Sequence, residues 1–188
     1  MLILASQSPR RQDLLRQAGF GFRVVVPGVD ERRLPEEPPE SYVERLARAK
    51  AEAVEAGPED WVLAADTTVA LDHHVLEKPA DAAEAARMLR LLSGRVHEVM
   101  TGVCLRHGGR QWSGVETTRV EFAELSEEEI AEYAASGEPL DKAGGYGIQG
   151  RASKLIPRIE GCYFNVVGLP VARVYAMLRA AGYHLPRG

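Results

Sequence analysis

The sequence predicts an α/β fold, a mixed β-sheet with flanking helices. Three observations predict it. Short apolar runs suited to buried strands alternate with segments whose apolar residues recur at helical spacing. Two long strand-like segments near the middle of the chain are joined by His107-Gly108-Gly109, a hairpin turn, so part of the sheet is antiparallel. Strand-helix units come first and the hairpin, a helix and a strand follow, which fits a mixed sheet better than a doubly wound one. With 188 residues the chain suits one domain, residues 1–188, that can bury a sizeable core at ~100–200 residues per domain.

The elements follow in order. Met1–Ala5 is a short buried strand. Ser8 caps a helix whose first residue is Pro9, with Leu14, Leu15 and Ala18 inward and Gly19 as its stop. Phe22–Val26 alternates like a strand, and the charged, proline-rich stretch Pro27–Glu40 is a loop. Ser41-Tyr42-Val43-Glu44 reads as a capping box for a helix running to about Ala56. Trp61–Ala65 is a buried strand that ends at Asp66. Asp81-Ala82-Ala83-Glu84 opens a helix with Ala85, Met88, Leu89 and Leu92 inward, closed by Ser93-Gly94. Val96–Arg106 and Gln111–Phe122 form the hairpin. Ser126-Glu127-Glu128-Glu129 is a second capping box, for a helix ending at Gly137. Pro170–Ala181 is a final helix, apolar at Val171, Val174, Tyr175 and Leu178.

Composition narrows the function. With 23 basic and 27 acidic residues the net charge is -4, which fits neither a nucleic-acid coat nor a binder of anionic membranes. Cys104 and Cys162 lie far apart without metal-ligand spacing. The apolar start Met1–Ala5 is too short for a leader, and no run is long enough for a membrane span. A reducing, cytoplasmic setting is expected.

Four segments carry chemistry. Ser6-Gln7-Ser8-Pro9-Arg10-Arg11 sits where a strand meets a helix N-terminus. Two arginines at that positive end either point into water or share an anion, and a phosphate would satisfy backbone N–H groups, hydroxyls and guanidinium forks together. Lys50 stands on the inward stripe Val43, Leu46, Ala47, Lys50 and Val54, so it either snorkels out or points into a polar pocket. Asp66, in Ala64-Ala65-Asp66-Thr67-Thr68, either caps a strand end or stands where α/β proteins place ligands, able to hold Mg²⁺ or take a proton from water. Lys78, in Glu77-Lys78-Pro79, is a candidate phosphate contact, although lone surface lysines usually contact nothing, and Asp30 and Glu31 are candidate metal ligands in a charged loop, where most acids are simply solvated.

The fourth segment, Asp141-Lys142-Ala143-Gly144-Gly145-Tyr146-Gly147-Ile148-Gln149-Gly150, contains G-x-G-x-x-G. No apolar strand precedes it and Pro157 follows soon after, so a dinucleotide fingerprint is rejected. The glycines let backbone approach a flat ligand. Gln149 offers a donor and an acceptor side by side, the complement of the O4 and N3–H edge of uracil or thymine. His73-His74 follow Asp72 in a turn and do not read as a metal site.

Taken together these segments resemble the Maf family of nucleoside triphosphate pyrophosphatases. The resemblance rests on Leu4–Arg11, Tyr42–Ala51, Ala65-Asp66-Thr67, Glu77-Lys78-Pro79, Leu92-Ser93-Gly94, Asp141–Gly150 and Asn165-Val166-Val167-Gly168-Leu169-Pro170. Each is weak alone, but the ordered set spans nearly the whole chain. Tyr146-Gly147-Ile148-Gln149-Gly150 looks like the branch acting on dTTP and UTP rather than the branch preferring 7-methyl-GTP. The resemblance implies a cytoplasmic enzyme, dependent on Mg²⁺ or Mn²⁺ and dimeric. It implies a fold like that of the inosine triphosphate pyrophosphatases, with a two-lobed cleft. The family's proton acceptor falls on Asp66 and its specificity positions on Arg10, Thr67 and Gln149. Ser6, Glu31, Lys50 and Lys78 match other pocket residues.

On this reading water attacks the α-phosphorus, Asp66 accepts its proton, Glu31 and Asp66 hold the metal, and Ser6, Arg10, Arg11, Lys50 and Lys78 meet the phosphates. Gln149 and Thr67 select the base. The rivals are a nucleotide-binding regulator of septum formation with little turnover, and an NAD-dependent oxidoreductase that the missing strand counts against.

Overall fold

The computed structural model describes residues 1–184; positions 185–188 of the expected domain lie outside the described residues. In chain order the elements are β1 (Leu2–Ala5), α1 (Pro9–Gln17), β2 (Arg23–Val24), α2 (Pro39–Glu52), β3 (Trp61–Leu71), β4 (His74–Leu76), α3 (Ala82–Leu92), β5 (Val96–His107), β6 (Arg110–Glu121), α4 (Glu127–Ala135), β7 (Arg158–Glu160), α5 (Tyr163–Val167) and α6 (Val171–Ala181). Short 3-10 helices at Glu138–Asp141, Ala143–Gly145 and Arg151–Leu155 lie between α4 and β7.

The sheet has seven strands in the order β2-β1-β3-β5-β6-β7, with β4 paired to β3. It is mixed, as expected. β1 runs parallel to β2 and to β3, and the β3–β4 and β6–β7 pairs are antiparallel. Among the described residues no helix is long and apolar enough to cross a membrane.

The chain divides into two compact units. The first comprises 1–66, 101–116 and the chain from Gly168 onward. One cluster of its core is built from Ile3, Ala5, Ala47, Ala51, Val54, Val62, Ala64 and Cys104. The small residues let helix and sheet come close. A Cβ added at Gly102 on β5 would stand 2.2 Å from the Val43 carbonyl oxygen of α2. The second unit comprises 67–100 and 117–167. Its core includes Leu89, Leu92, Val120, Phe122, Tyr133, Tyr146 and Leu155.

Local signals set several boundaries. Ser8 caps α1 through the Arg11 N–H, with Pro9 in the first turn. Asp81 caps α3 through the Glu84 N–H, and Ser126 and Glu129 close a reciprocal capping box on α4. Gly108-Gly109 joins β5 to β6 as expected.

Other expectations are corrected. The helix α2 begins at Pro39, with Pro38 at its cap and no side-chain capping bond, so Ser41 lies inside the helix and the loop ends earlier than Glu40. Two prolines preset the backbone for a first turn, which removes the need for a serine cap. The same helix ends at Glu52 rather than near Ala56. Of the expected strand Phe22–Val26 only Arg23–Val24 pairs, and both residues are exposed. Ala18 is exposed rather than inward.

The largest correction is β3. It does not end at Asp66 but continues to Leu71, because Thr67, Thr68 and Val69 are β-branched residues that favour a strand. A two-residue turn then leads into β4, with Asp72 and His73 at φ 49 and 66, the left-handed pair that such hairpins require. His74 thus opens a strand rather than closing a turn.

Candidate active site

The register of β1 explains why Asp66 is reachable. β1 pairs with β3 from Leu2–Trp61 to Ala5–Ala64 and goes no further. Asp66 therefore projects just past the carboxyl end of its parallel neighbour, the place where such sheets leave a crevice. The chain leaving β1 at that level is Ser6-Gln7-Ser8. Asp66 is inside a strand and yet beside the N-terminus of α1.

Ser6 is buried, and its hydroxyl oxygen accepts from the Ser8 N–H and from Arg11 Nη1, both at 3.2 Å. Arg11 is fixed from its other side, where Nε donates to the Gly168 carbonyl at 2.8 Å. Gly168 holds φ 129, a conformation essentially reserved for glycine, and so can present that carbonyl. Burial lowers the pKa of Arg11, the charge of Asp66 opposes that, Arg10 lowers it further and Glu31 raises it. Arg11 stays cationic all the same.

Lys50 does not snorkel. It is 7% exposed and its ammonium lies 2.6 Å from Asp66 Oδ1 and 2.7 Å from Glu31 Oε1. Asp66 is itself 8% exposed. The Glu31 side chain is 55% exposed, so one carboxylate of the pair is buried and the other reaches in from a loop. Three cations, Arg10, Arg11 and Lys50, thus gather with two carboxylates at the positive end of a helix whose first turn holds no acid. That cluster has one positive charge over and can take a polyanion.

The sequence reading missed the residues that hold the Glu31 loop. Tyr42 donates its hydroxyl to the Glu31 carbonyl at 2.8 Å. Arg45, one helical turn further on, forks onto the buried Glu37 carboxylate at 2.6 and 2.8 Å. That fork, and the Leu34 N–H, keep the Glu37 carboxyl below the usual range despite its burial. The signal was present: Tyr42 and Arg45 share one helix face and Glu37 stands just before α2. Gly168 was missed as Arg11's partner because it lies 157 residues away in sequence.

The first unit therefore brings together Ser6, Arg11, Lys50, Glu31 and Asp66, with Arg10 close in charge to Arg11. Asp30 does not join them. It is clamped by Arg32, whose hydrogen bonds hold its carboxyl down to about 2. Thr67, Lys78 and Gln149 belong to the second unit. Thr67 follows Asp66 on β3 and is half-buried, while Lys78 and Gln149 are exposed. Among the described residues no group of three or more His, Cys, Asp and Glu side chains is placed to hold a metal ion. Glu31 and Asp66, two carboxylates sharing one ammonium, are an oxygen donor set that fits a hard divalent cation retaining several water ligands.

Comparison with known proteins gives the family and the fold. A family model described as Maf-like protein matches residues 1–181. The chain is 59% identical over 182 residues to the dTTP/UTP pyrophosphatase of Koribacter versatilis, covering 96% of this chain and 94% of that protein. It is 55% identical over 188 residues to the dTTP/UTP pyrophosphatase of Symbiobacterium thermophilum, covering 100% and 97%. In fold it is similar to the Staphylococcus aureus Ham1 protein, with a TM-score of 0.51 at 14% identity over 96% of this chain and 98% of that one.

Proposed function

The chain belongs to the family of Maf-like proteins, and from that membership we propose that it is a nucleoside triphosphate pyrophosphatase, hydrolysing dTTP and UTP to the nucleoside monophosphate and pyrophosphate. The observation that carries the proposal is the buried Lys50 ammonium between Asp66 and Glu31, beside the Ser6–Arg11 turn.

In the proposed reaction a water oxygen bonds to the α-phosphorus and the bond to the bridging oxygen of the β-phosphate breaks. The leaving pyrophosphate keeps that electron pair, and the water's proton passes to Asp66. Lys50 engages Asp66 through Oδ1, which fixes the carboxylate and leaves Oδ2 as the atom to take the proton. Arg10, Arg11, Lys50 and Lys78 meet the phosphate charge, with Ser6 as a hydroxyl contact and as the orienter of Arg11. Thr67 and Gln149 select the pyrimidine, and Arg10 serves both the phosphates and that selection. Glu31 and Asp66 would hold Mg²⁺ or Mn²⁺, which supplies charge neutralisation at the phosphates. The working form is proposed to be a cytoplasmic homodimer acting on a free nucleotide, with neither nucleic acid nor membrane as partner.

A panel of nucleoside triphosphates tested for pyrophosphate release with Mg²⁺ decides the reading. Fast release from dTTP and UTP and slow release from CTP and purine nucleotides is expected. Tight binding without turnover would instead favour a nucleotide-binding regulator.

A further inference from the structure

Gln149, the proposed base reader, lies on no regular element. It occupies the third position of a turn, Gly147–Gly150, closed by the Gly150 N–H on the Gly147 carbonyl at 3.1 Å. An exposed amide discriminates between bases only if its two ends are held in fixed directions, because hydrogen bonds weaken steeply off axis. Something must hold the turn.

Two side chains from just upstream do so. Tyr133 of α4 is buried, and its hydroxyl oxygen accepts the Gly147 N–H at 3.1 Å. The same hydroxyl donates to Glu138 Oε1 at 2.9 Å. Glu138 Oε2 accepts from the Arg151 N–H at 3.1 Å. Phenol and carboxylate together grip the residue that opens the turn and the residue just beyond its end. The approach is close: a Cβ at Gly150 would meet Glu138 Oε1 at 2.1 Å, so position 150 must be glycine for the grip to form. Glu138 is itself anchored, since its carbonyl accepts from Lys142 Nζ at 2.7 Å. Burial raises the Tyr133 pKa, which keeps the phenol a proton donor to the carboxylate.

We propose that Glu138 and Tyr133 are positioning residues that set the nucleotide preference, by fixing the Gly147–Gly150 turn so that the Gln149 amide meets the pyrimidine edge. The inference rests on the reading of Gln149 as the base-selecting residue. Uracil and cytosine differ in which edge atoms donate and accept, so a loosened turn costs the matched base more than the mismatched one. Asp66 is untouched, and the loss falls on KM for UTP rather than on kcat.

The test measures kcat and KM for UTP and CTP in the wild type and in Glu138→Ala, Glu138→Gln, Tyr133→Phe and Gln149→Ala, with amide hydrogen exchange at Gly147 and Arg151. Glu138→Ala and Tyr133→Phe are expected to lower the UTP-to-CTP ratio of kcat/KM about tenfold, through KM, and to speed exchange at Gly147. Glu138→Gln should hold the ratio within about threefold, because an amide can still accept from Arg151 and donate to Tyr133. If Gln149→Ala lowers the ratio while Glu138→Ala and Tyr133→Phe weaken both substrates alike, the grip does not set preference and the base reading survives. If Gln149→Ala leaves the ratio unchanged, the base reading fails and the inference with it. Should Glu138→Ala not fold, Tyr133→Phe, which removes one oxygen atom, decides: an unchanged ratio overturns the inference.

Discussion

Lys50 shows how one misplaced residue can announce a site. A lysine on the inward stripe of a helix is costly unless its charge is met, and here Asp66 and Glu31 meet it. Lys50→Met would leave the buried Asp66 carboxylate without its cation. Urea unfolding should show a loss of about 3 kcal/mol, and a stability equal to wild type would mean that the pair is not buried in solution. Asp66→Asn should keep the shape and lower kcat by ~10²–10⁴, and near-normal turnover would remove Asp66 as proton acceptor. The oddity of Lys50 was legible in the sequence because helical spacing fixes its face. Its pairing with Glu31 was not, because that acid comes from a loop whose path depends on Tyr42, Arg45 and Glu37. His97 makes a further prediction. It is buried, with Nε2 2.6 Å from the Tyr146 hydroxyl and Nδ1 without a hydrogen-bond partner among the described residues, and burial lowers its pKa from 6.5 to about 4. The folded state therefore binds this proton less readily than the unfolded chain. The stability is whole above 6.5 and is lost as pH falls toward 4. Between those limits wild type should lose about 3 kcal/mol more than His97→Gln, at ~1.4 kcal/mol per pH unit. Parallel stability curves for the two proteins would contradict this.

Among the elements, α2 matters most, since it carries Lys50 and lies against β5 at Gly102. The Gly102 contact is with backbone, which cannot move aside as a side-chain tip can. Gly102→Ala should push helix from strand and cost about 1–3 kcal/mol. Because Lys50 rides on that helix, kcat should fall too, and an unaltered melting temperature would show that the helix does not sit this close. Helix faces and two caps were legible, because capping is local chemistry. The start of α2 was not, since two prolines replaced the serine signal with a backbone one. The end of β3 was misread because an acid looks like a stop, whereas Asp66 needs only a short neighbour, and β1 supplies that by ending at Ala5.

Across the whole molecule, the mixed α/β class was legible from the alternation of apolar patterns and from one glycine hairpin. The pairing of β1 with a strand near residue 61 was not, since parallel pairing leaves no local mark. Neither was the division into two units, because β3, β5 and β6 each give part of their length to one unit and part to the other. The ordered motifs carried the family, and the match over residues 1–181 spans segments of both units. The most direct test of the central claim is hydrolysis of dTTP in oxygen-18 water, with the products read by phosphorus NMR. Attack at the α-phosphorus predicts label in dTMP and unlabelled pyrophosphate, at a rate that collapses in Asp66→Asn. Label in pyrophosphate, release of orthophosphate, or an unchanged rate in that variant would contradict it.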